Sequence, residues 1–193
     1  ELKNYFAENK AYQASDKSPK DIPFDALQGL INGDKTLYVH VDNEKGITDA
    51  INFAKAQNIK KTVIVGGYEA NNVTDLLKEN NVPVLLQRVH SLPNSSDNDY
   101  DLPYKLATQL VEAGVLVGLE NAGDMERMNT RNLPFLAGTT VAYGLTNEQA
   151  LSLITYNTAK ILGIDDTVGS LEVGKDATLF ISEGDALDMR TNK

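Results

Sequence analysis

Four short, almost wholly apolar runs recur along the chain, and stretches with helical spacing separate them. The runs occupy residues 36–41, 62–66, 82–87 and 115–120. Continuous apolar character is typical of strands that are buried on both faces of a parallel sheet. In the first intervening stretch, Ile47, Ala50, Ile51 and Ala54 share one face of a helix. The alternation therefore predicts βαβ units with right-handed crossovers.

The number of predicted strands leaves two architectures open. Four strands cannot close an eight-stranded barrel, but they suit an open doubly wound sheet or one half of a (β/α)8 barrel. Periodicity does not separate the two. Both architectures place function in the loops that follow the strands, and a polar, turn-rich segment at residues 92–103 follows the third run. The alternative interpretation of that segment is a flexible surface loop without a functional role.

Composition excludes several classes of function. The net charge of -9 argues against binding to nucleic acid, whose phosphates the protein would repel. No apolar run approaches the length of a membrane span, so none is predicted. The absence of Cys excludes disulfides, thiolate zinc sites and a Cys nucleophile. The length of 193 residues suits one domain, or one domain with a small appendage, and the compartment is not fixed by these features.

The C-terminal part is predicted to form a capped helix followed by a β-hairpin. Thr146 and Gln149 have the spacing of a capping box, and Gly163 stands where a helix ends in a left-handed residue. The pattern therefore predicts one helix over 147–162. Two further runs, 170–173 and 177–182, are predicted strands joined by a tight turn. An ordinary helix and hairpin would satisfy the pattern.

Two segments of this region carry a family resemblance. The string Gly169-Ser-Leu-Glu-Val-Gly-Lys-Asp-Ala177 and the segment 129–144 resemble the closing part of the amidohydrolase superfamily, in its imidazolonepropionase-like branch. The resemblance extends over about residues 2–189. It implies an α/β fold, the C-terminal half of a (β/α)8 TIM barrel, in a chain truncated at both ends. Residues 1–163 would hold barrel strands five to eight, and residues 164–193 a fragment of a composite β-sandwich.

The resemblance also implies a metal-dependent chemistry and a set of ligands. In such enzymes a divalent metal at the strand ends activates water for attack on a C–N bond. The implied ligands are a His-x-His pair on strand one, one His each on strands five and six, and an Asp after strand eight. His40 matches the fifth-strand ligand, whereas Gly66 stands at the sixth-strand position. After the last strand, Asp124 is displaced from the Asp position, and Glu120 is the other candidate. The resemblance thus implies a zinc-type metal in the parent protein, a degenerate ligand set, and no metal in this chain.

Other polar residues at or after the predicted strand ends are weaker candidates. His90 is a second potential metal ligand, although a catalytic zinc site usually needs three protein ligands. Arg88 and Arg131 are candidates to hold an anionic substrate group, and Tyr68 and Glu69 to contact substrate. A hydrogen-bonded His and a solvated loop Arg are the plainer alternatives.

Two functions follow as expectations. The first is the C-terminal fragment of a hydrolase that acts on non-peptide carbon–nitrogen bonds of a small molecule, with the isolated chain inactive. The second is a non-catalytic α/β module that binds a small ligand or assembles with itself. A half-barrel would leave strand edges unpaired at 36–41 and 115–120, which predicts a homodimer or association with a missing N-terminal half. A His-x-His motif upstream in the parent gene would favour the enzyme.

Overall fold

The computed structural model describes residues 1–87, 89–121 and 126–191. Its strands are β1 (Leu37–Val41), β2 (Thr62–Gly66), β3 (Val84–Gln87) and β4 (Val117–Glu120). Its α-helices are α1 (Leu2–Gln13), α2 (Ile22–Asn32), α3 (Glu44–Ala56), α4 (Thr74–Glu79), α5 (Leu102–Glu112), α6 (Leu133–Ala142), α7 (Asn147–Ile154) and α8 (Tyr156–Leu162). Short 3-10 helices cover Ala70–Val73 and Glu126–Asn132. Within these ranges, no helix has both the length and the apolar character needed to cross a membrane.

The four strands form one parallel sheet in the order β1-β2-β3-β4. Strand order therefore equals sequence order, and each connection between neighbours carries a helix. This confirms the predicted βαβ units. A sheet wound in one direction, with no reversal of strand order, is what half of a (β/α)8 barrel requires.

The two faces of the sheet are packed differently. Alternate side chains of each strand, such as Ile64, Val84 and Val117, enter the main core beneath the crossover helices; we call this the helix face. The opposite side is called the open face. It carries a smaller cluster of Val63, Val65, Leu85 and Ile161, the last contributed by α8. His40 of β1 also lies on the open face and is exposed. The helix α8 packs against β4 and does not cover His40.

The helix that was predicted over residues 147–162 is two helices. The predicted capping box is present, since the Thr146 hydroxyl accepts from Gln149 N and the Gln149 side chain accepts from Thr146 N. The helix is interrupted at Thr155, whose φ of -126° and ψ of -95° are not helical. Beyond the break, Asn157 Nδ2 donates to the carbonyl of Val117 at 2.9 Å and ties α8 to β4. This tertiary contact replaces the continuous helix that periodicity alone indicates.

The predicted hairpin does not form a β-ladder. Within the described part of residues 164–193, the backbone turns at Lys175, whose N–H donates to Glu172 O, and Asp176 N donates to Thr167 O. Val173 and Ile181 are 109% and 91% exposed. A two-stranded hairpin is at best marginally stable in water, and here neither run packs an apolar face against another element. The strand pattern is therefore present in the sequence without strand pairing in the fold.

The segment 185–191, which we call the C-terminal segment, packs back onto α6 by a single buried side chain. Leu187 is 6% exposed and belongs to the main core. Its backbone carbonyl rests directly against Gly138 of α6, in space that a Cβ at that position would fill. Asp185 anchors the segment, because it accepts from Asn147 Nδ2 at 2.9 Å and from Leu187 N at 2.8 Å.

Candidate functional site

The carboxyl ends of the four strands lie at one edge of the sheet because the strands are parallel. His40 is paired with Val65, and its side chain projects from the open face. Gln87 and Glu120 are paired with each other at the ends of β3 and β4 and project from the same face. The fold therefore gathers His40, Gln87 and Glu120 on one face and at one edge.

Glu120 is partly buried at the end of β4. Burial raises the pKa of its carboxyl above the ordinary value, and the charge of His40 partly opposes that shift. Glu120 on β4 and His40 on β1 belong to opposite edge strands, and both project from the open face. The catalytic role suggested for Glu120 stays a prediction.

Gly66 ends β2 in a conformation that favours glycine. Its φ is +99°, in the region that favours glycine, and an added Cβ would lie 2.5 Å from Asp42 Oδ1. The backbone after Gly66 wraps round the end of β1, since Gly67 N donates to Val41 O and Glu69 N to Asp42 O. The position that the family resemblance assigns to a His is thus built around a glycine.

Tyr68 and Glu69 have partners within the protein. The Tyr68 hydroxyl accepts from Asn94 N at 3.0 Å and lies 3.4 Å from Asn98 Nδ2, so it holds the polar loop after β3. Glu69 Oε2 accepts from Glu44 N at 2.8 Å, at the first turn of α3. These contacts fix both side chains at the site's edge, and their predicted contact with substrate stays a prediction.

A cleft of about 490 Å³ opens at this edge of the sheet. Its lining consists of Asp42, Tyr68, Gln87, His90 and the backbone and side chains of residues 91–94. The polar loop that sequence analysis placed after the third strand therefore forms one wall of the cleft. Carboxylate, amide, phenol and imidazole groups all face a space large enough for a small molecule.

His90 contacts Thr139 of α6 and the ring of Tyr104 at the cleft. Its Nε2 lies 2.5 Å from Thr139 Oγ1. Its ring contacts Tyr104 at 5.7 Å between centroids, and Tyr104 stacks on Tyr143 at 5.6 Å. The imidazole thus has a defined orientation, and its predicted role as a metal ligand stays a prediction.

Of the remaining predicted site residues, Arg131 is described by the structure and does not line the cleft. Arg131 is exposed in the 3-10 helix that precedes α6. Arg88 and Asp124 lie outside the described residues. The roles predicted for these three side chains stay predictions.

Sequence analysis missed three residues of the site. Asp42 and Gln87 each stand at the end of a strand, and that position alone is a signal that would have included them. Thr139 lies in a largely apolar helix, far along the chain from His90. No pattern in the sequence of that helix indicates the contact between the two residues. Such pairs emerge only from the packing of α6 against the loop after β3.

The fold and the cleft together define the class of protein. Four parallel strands in sequence order, with crossover helices and a polar cleft at their carboxyl ends, form an α/β half of a (β/α)8 barrel. The chain belongs to the amidohydrolase family, whose model matches residues 20–192.

Individual relatives and solved structures agree with this assignment. The amidohydrolase tasK of Hapsidospora irregularis is 35% identical over 115 residues, which are 55% of this chain and 11% of that protein. An imidazolonepropionase of Syntrophobacter fumaroxidans is 35% identical over 82 residues, 42% of this chain and 19% of that protein. The crystal structure of an amidohydrolase from Thermotoga maritima MSB8 superposes with a TM-score of 0.81 at 26% identity, covering 99% of this chain and 49% of that one. The chain therefore spans about half the length of this structural relative.

Amidohydrolases generally use a divalent metal, and the residues that the structure describes do not form a complete site for one. His40 lies on the open face, but Gly66 offers no side-chain ligand, and its φ of +99° favours glycine. Across the described ranges, no three His, Cys, Asp or Glu side chains are grouped so that they could hold an ion. No chemical step is therefore assigned to a metal on this chain.

Proposed function

We propose that the chain is the C-terminal half-barrel of a hydrolase acting on carbon–nitrogen bonds other than peptide bonds, and that the chain alone is inactive. The family membership and the names of the relatives, amidohydrolase and imidazolonepropionase, support the reaction class. Gly66 at the end of β2 is the observation that carries the second part of the proposal. A metal-activated water needs about three protein ligands to fix the ion, and this strand end supplies none.

Metal content and hydrolysis test the proposal on the purified chain. After incubation with zinc or manganese and removal of the excess, we expect less than about 0.1 ion per chain, since a lone imidazole is a weak ligand. We also expect no hydrolysis of small cyclic amides above the rate of buffer. His40→Asn is the control that reports any ion held on β1. One ion per chain together with turnover would contradict the inactivity of the isolated chain.

A binding function without catalysis is the second candidate, and the cleft of about 490 Å³ favours it. The cleft offers an acceptor in Asp42 and an imidazole in His90 that contacts Thr139. These groups suit a small polar molecule and require no ion. On this proposal the parent protein retains recognition of a small molecule where the described ligands for hydrolysis have been lost.

We also propose that β1 pairs with another chain, either a second copy or a missing N-terminal half. Leu37 N donates to the carbonyl of Lys61, directly before β2, so the N–H groups of Tyr38 and His40, which alternate with it, point away from the sheet. The opposite edge is less available, since Asn157 already donates to Val117 O on β4. Unpaired edges of this kind are templates for further strands.

Light scattering at high concentration tests the pairing with a second copy. We expect a dimer for the parent chain and a monomer for Tyr38→Pro, because proline removes only an outward-facing N–H. Circular dichroism checks that the variant stays folded. A monodisperse monomer for the parent chain at high concentration would overturn the homodimer.

A further inference from the structure

The contact between His90 and α6 is the observation from which we infer the nitrogen of the ring that carries the proton. Thr139 Oγ1 lies 2.5 Å from His90 Nε2 and 3.1 Å from the carbonyl of Phe135, one turn earlier in α6. A hydroxyl has one proton to donate, and threonine in a helix commonly donates it to this carbonyl. The proton between Thr139 and His90 is then the one on Nε2, which donates to the hydroxyl oxygen.

A neutral imidazole carries a single N–H, so the assignment of Nε2 leaves Nδ1 with its lone pair. Nδ1 is then a hydrogen-bond acceptor. The ring also contacts Tyr104, which in turn stacks on Tyr143. Thr139 and Tyr104 therefore act as positioning residues for the imidazole.

His90 stands between two hollows of the surface. One is the cleft of about 490 Å³ at the strand ends, shared with Asp42 and Gln87. The other, of about 520 Å³, lies beside α6 and is lined by Phe135, Thr139 and the C-terminal segment. Because Nε2 is turned toward α6, the acceptor nitrogen is the one left for the strand-end cleft.

We propose that His90 presents an unprotonated Nδ1 to the strand-end cleft and thereby binds small molecules that carry an N–H or O–H donor. The inference rests on the binding role proposed for the cleft and does not depend on hydrolysis. Asp42 is a second acceptor on the same lining, so two acceptors favour a ligand with donors over one with acceptors alone.

Nitrogen NMR of the imidazole rings tests the tautomer directly. The chain has two His, so the His40→Asn variant leaves a single imidazole to observe. Under mildly alkaline conditions, where imidazole is neutral, we expect the N–H on Nε2 and the lone-pair signal on Nδ1. Thr139→Val should give a mixture of tautomers, and Thr140→Val, in the same helix, should not. An N–H on Nδ1 in the His40→Asn chain would overturn the proposal whatever the variants do.

A matched pair of cyclic amides tests the binding. 2-Pyrrolidinone has a ring N–H, whereas N-methyl-2-pyrrolidinone has the same carbonyl and no donor. We expect the first to shift the His90 ring signals and the second to bind about tenfold more weakly, the effect of one lost hydrogen bond. His90→Phe, which keeps a ring but no lone pair, should abolish the preference. Equal binding of the two amides, or no binding of either, would contradict the proposal, and neither outcome bears on metal content or hydrolysis.

Discussion

Replacing Gly66 with His is expected to lower the free energy of unfolding by about 3 kcal/mol and to create no metal site. The residue has a φ of +99°, a region that costs a residue with a Cβ about 1–2 kcal/mol. The new Cβ would also lie 2.5 Å from Asp42 Oδ1 and 3.2 Å from the carbonyl oxygen of Val41. Urea unfolding measures the loss, and zinc analysis after dialysis measures any ion that the new imidazole holds.

Gly174 provides a matched control for the backbone part of this effect. Its φ is also +99°, but an added Cβ meets nothing within 4 Å. Gly174→His should therefore cost only about 1 kcal/mol. The double variant Gly66→His/Asp42→Ala should recover part of the loss, because the carboxylate is then gone. If Gly66→His were as stable as the parent chain, or bound one zinc ion, Gly66 would not be closed to a ligand.

A position that holds a metal ligand in one relative can hold a different residue in another for two reasons. A simple substitution leaves the surrounding space intact, so the original residue can be restored. At Gly66 the neighbouring Asp42 carboxylate fills the space and the backbone has a glycine conformation. Any side chain at this position would therefore require the Asp42 carboxylate to move. Asp42 also lines the cleft. Its place there favours the proposed binding of a small molecule over a hydrolytic site that lacks one ligand.

Most of the sheet could be predicted from the sequence because its determinants are local. The β2 run was predicted over 62–66, the range that the structure shows, since Thr62–Gly66 are buried on both faces and the apolar run is therefore continuous. Helix ends with a side-chain or glycine cap were also predictable. Gly33, with a φ of 90°, ends α2, and the capping box begins α7. In each case the residues that determine the element lie within it.

Two elements could not be predicted because their determinants lie elsewhere in the fold. The break at Thr155 accompanies the contact of Asn157 with β4, which helical periodicity does not contain. The runs predicted as strands at 170–173 and 177–182 have no apolar face packed against another element. Strand patterns require a partner surface to become a ladder, and a pattern alone does not supply it.

The family string around Gly169 keeps a structural role even without the hairpin. A Cβ at Gly169, where φ is +96°, would lie 2.6 Å from the Cβ of Ala159 in α8. Lys175 Nζ donates to Ser170 Oγ at 2.6 Å and stands 5.8 Å from the centre of the Tyr156 ring. The string therefore fixes a turn against α8, and its residues can be understood from packing rather than from catalysis.

The C-terminal segment packs against α6 at a glycine, Gly138, which leaves space for the backbone of the distant residue Leu187. Gly138 is in the middle of α6, where glycine is ordinarily about 1 kcal/mol less stable than alanine. The carbonyl of Leu187 rests in the space of the missing Cβ, and its side chain is buried in the core. Packing against Leu187 therefore explains a residue that helix propensity disfavours.

Gly138→Ala is accordingly expected to have opposite effects in two versions of the chain. In the full chain the new methyl group meets the Leu187 carbonyl and displaces the C-terminal segment, so we expect a loss of about 2–3 kcal/mol, comparable to Leu187→Ala. In a chain that ends at Glu183 the obstacle is absent, and the same substitution should stabilise by about 0.5–1 kcal/mol through helix propensity. Thermal and urea unfolding of the four proteins measure both signs.

The double variant Gly138→Ala/Leu187→Ala should lose less than the sum of the single losses, because both changes remove one contact. A stabilising Gly138→Ala in the full chain would show that Leu187 does not pack against α6 in solution.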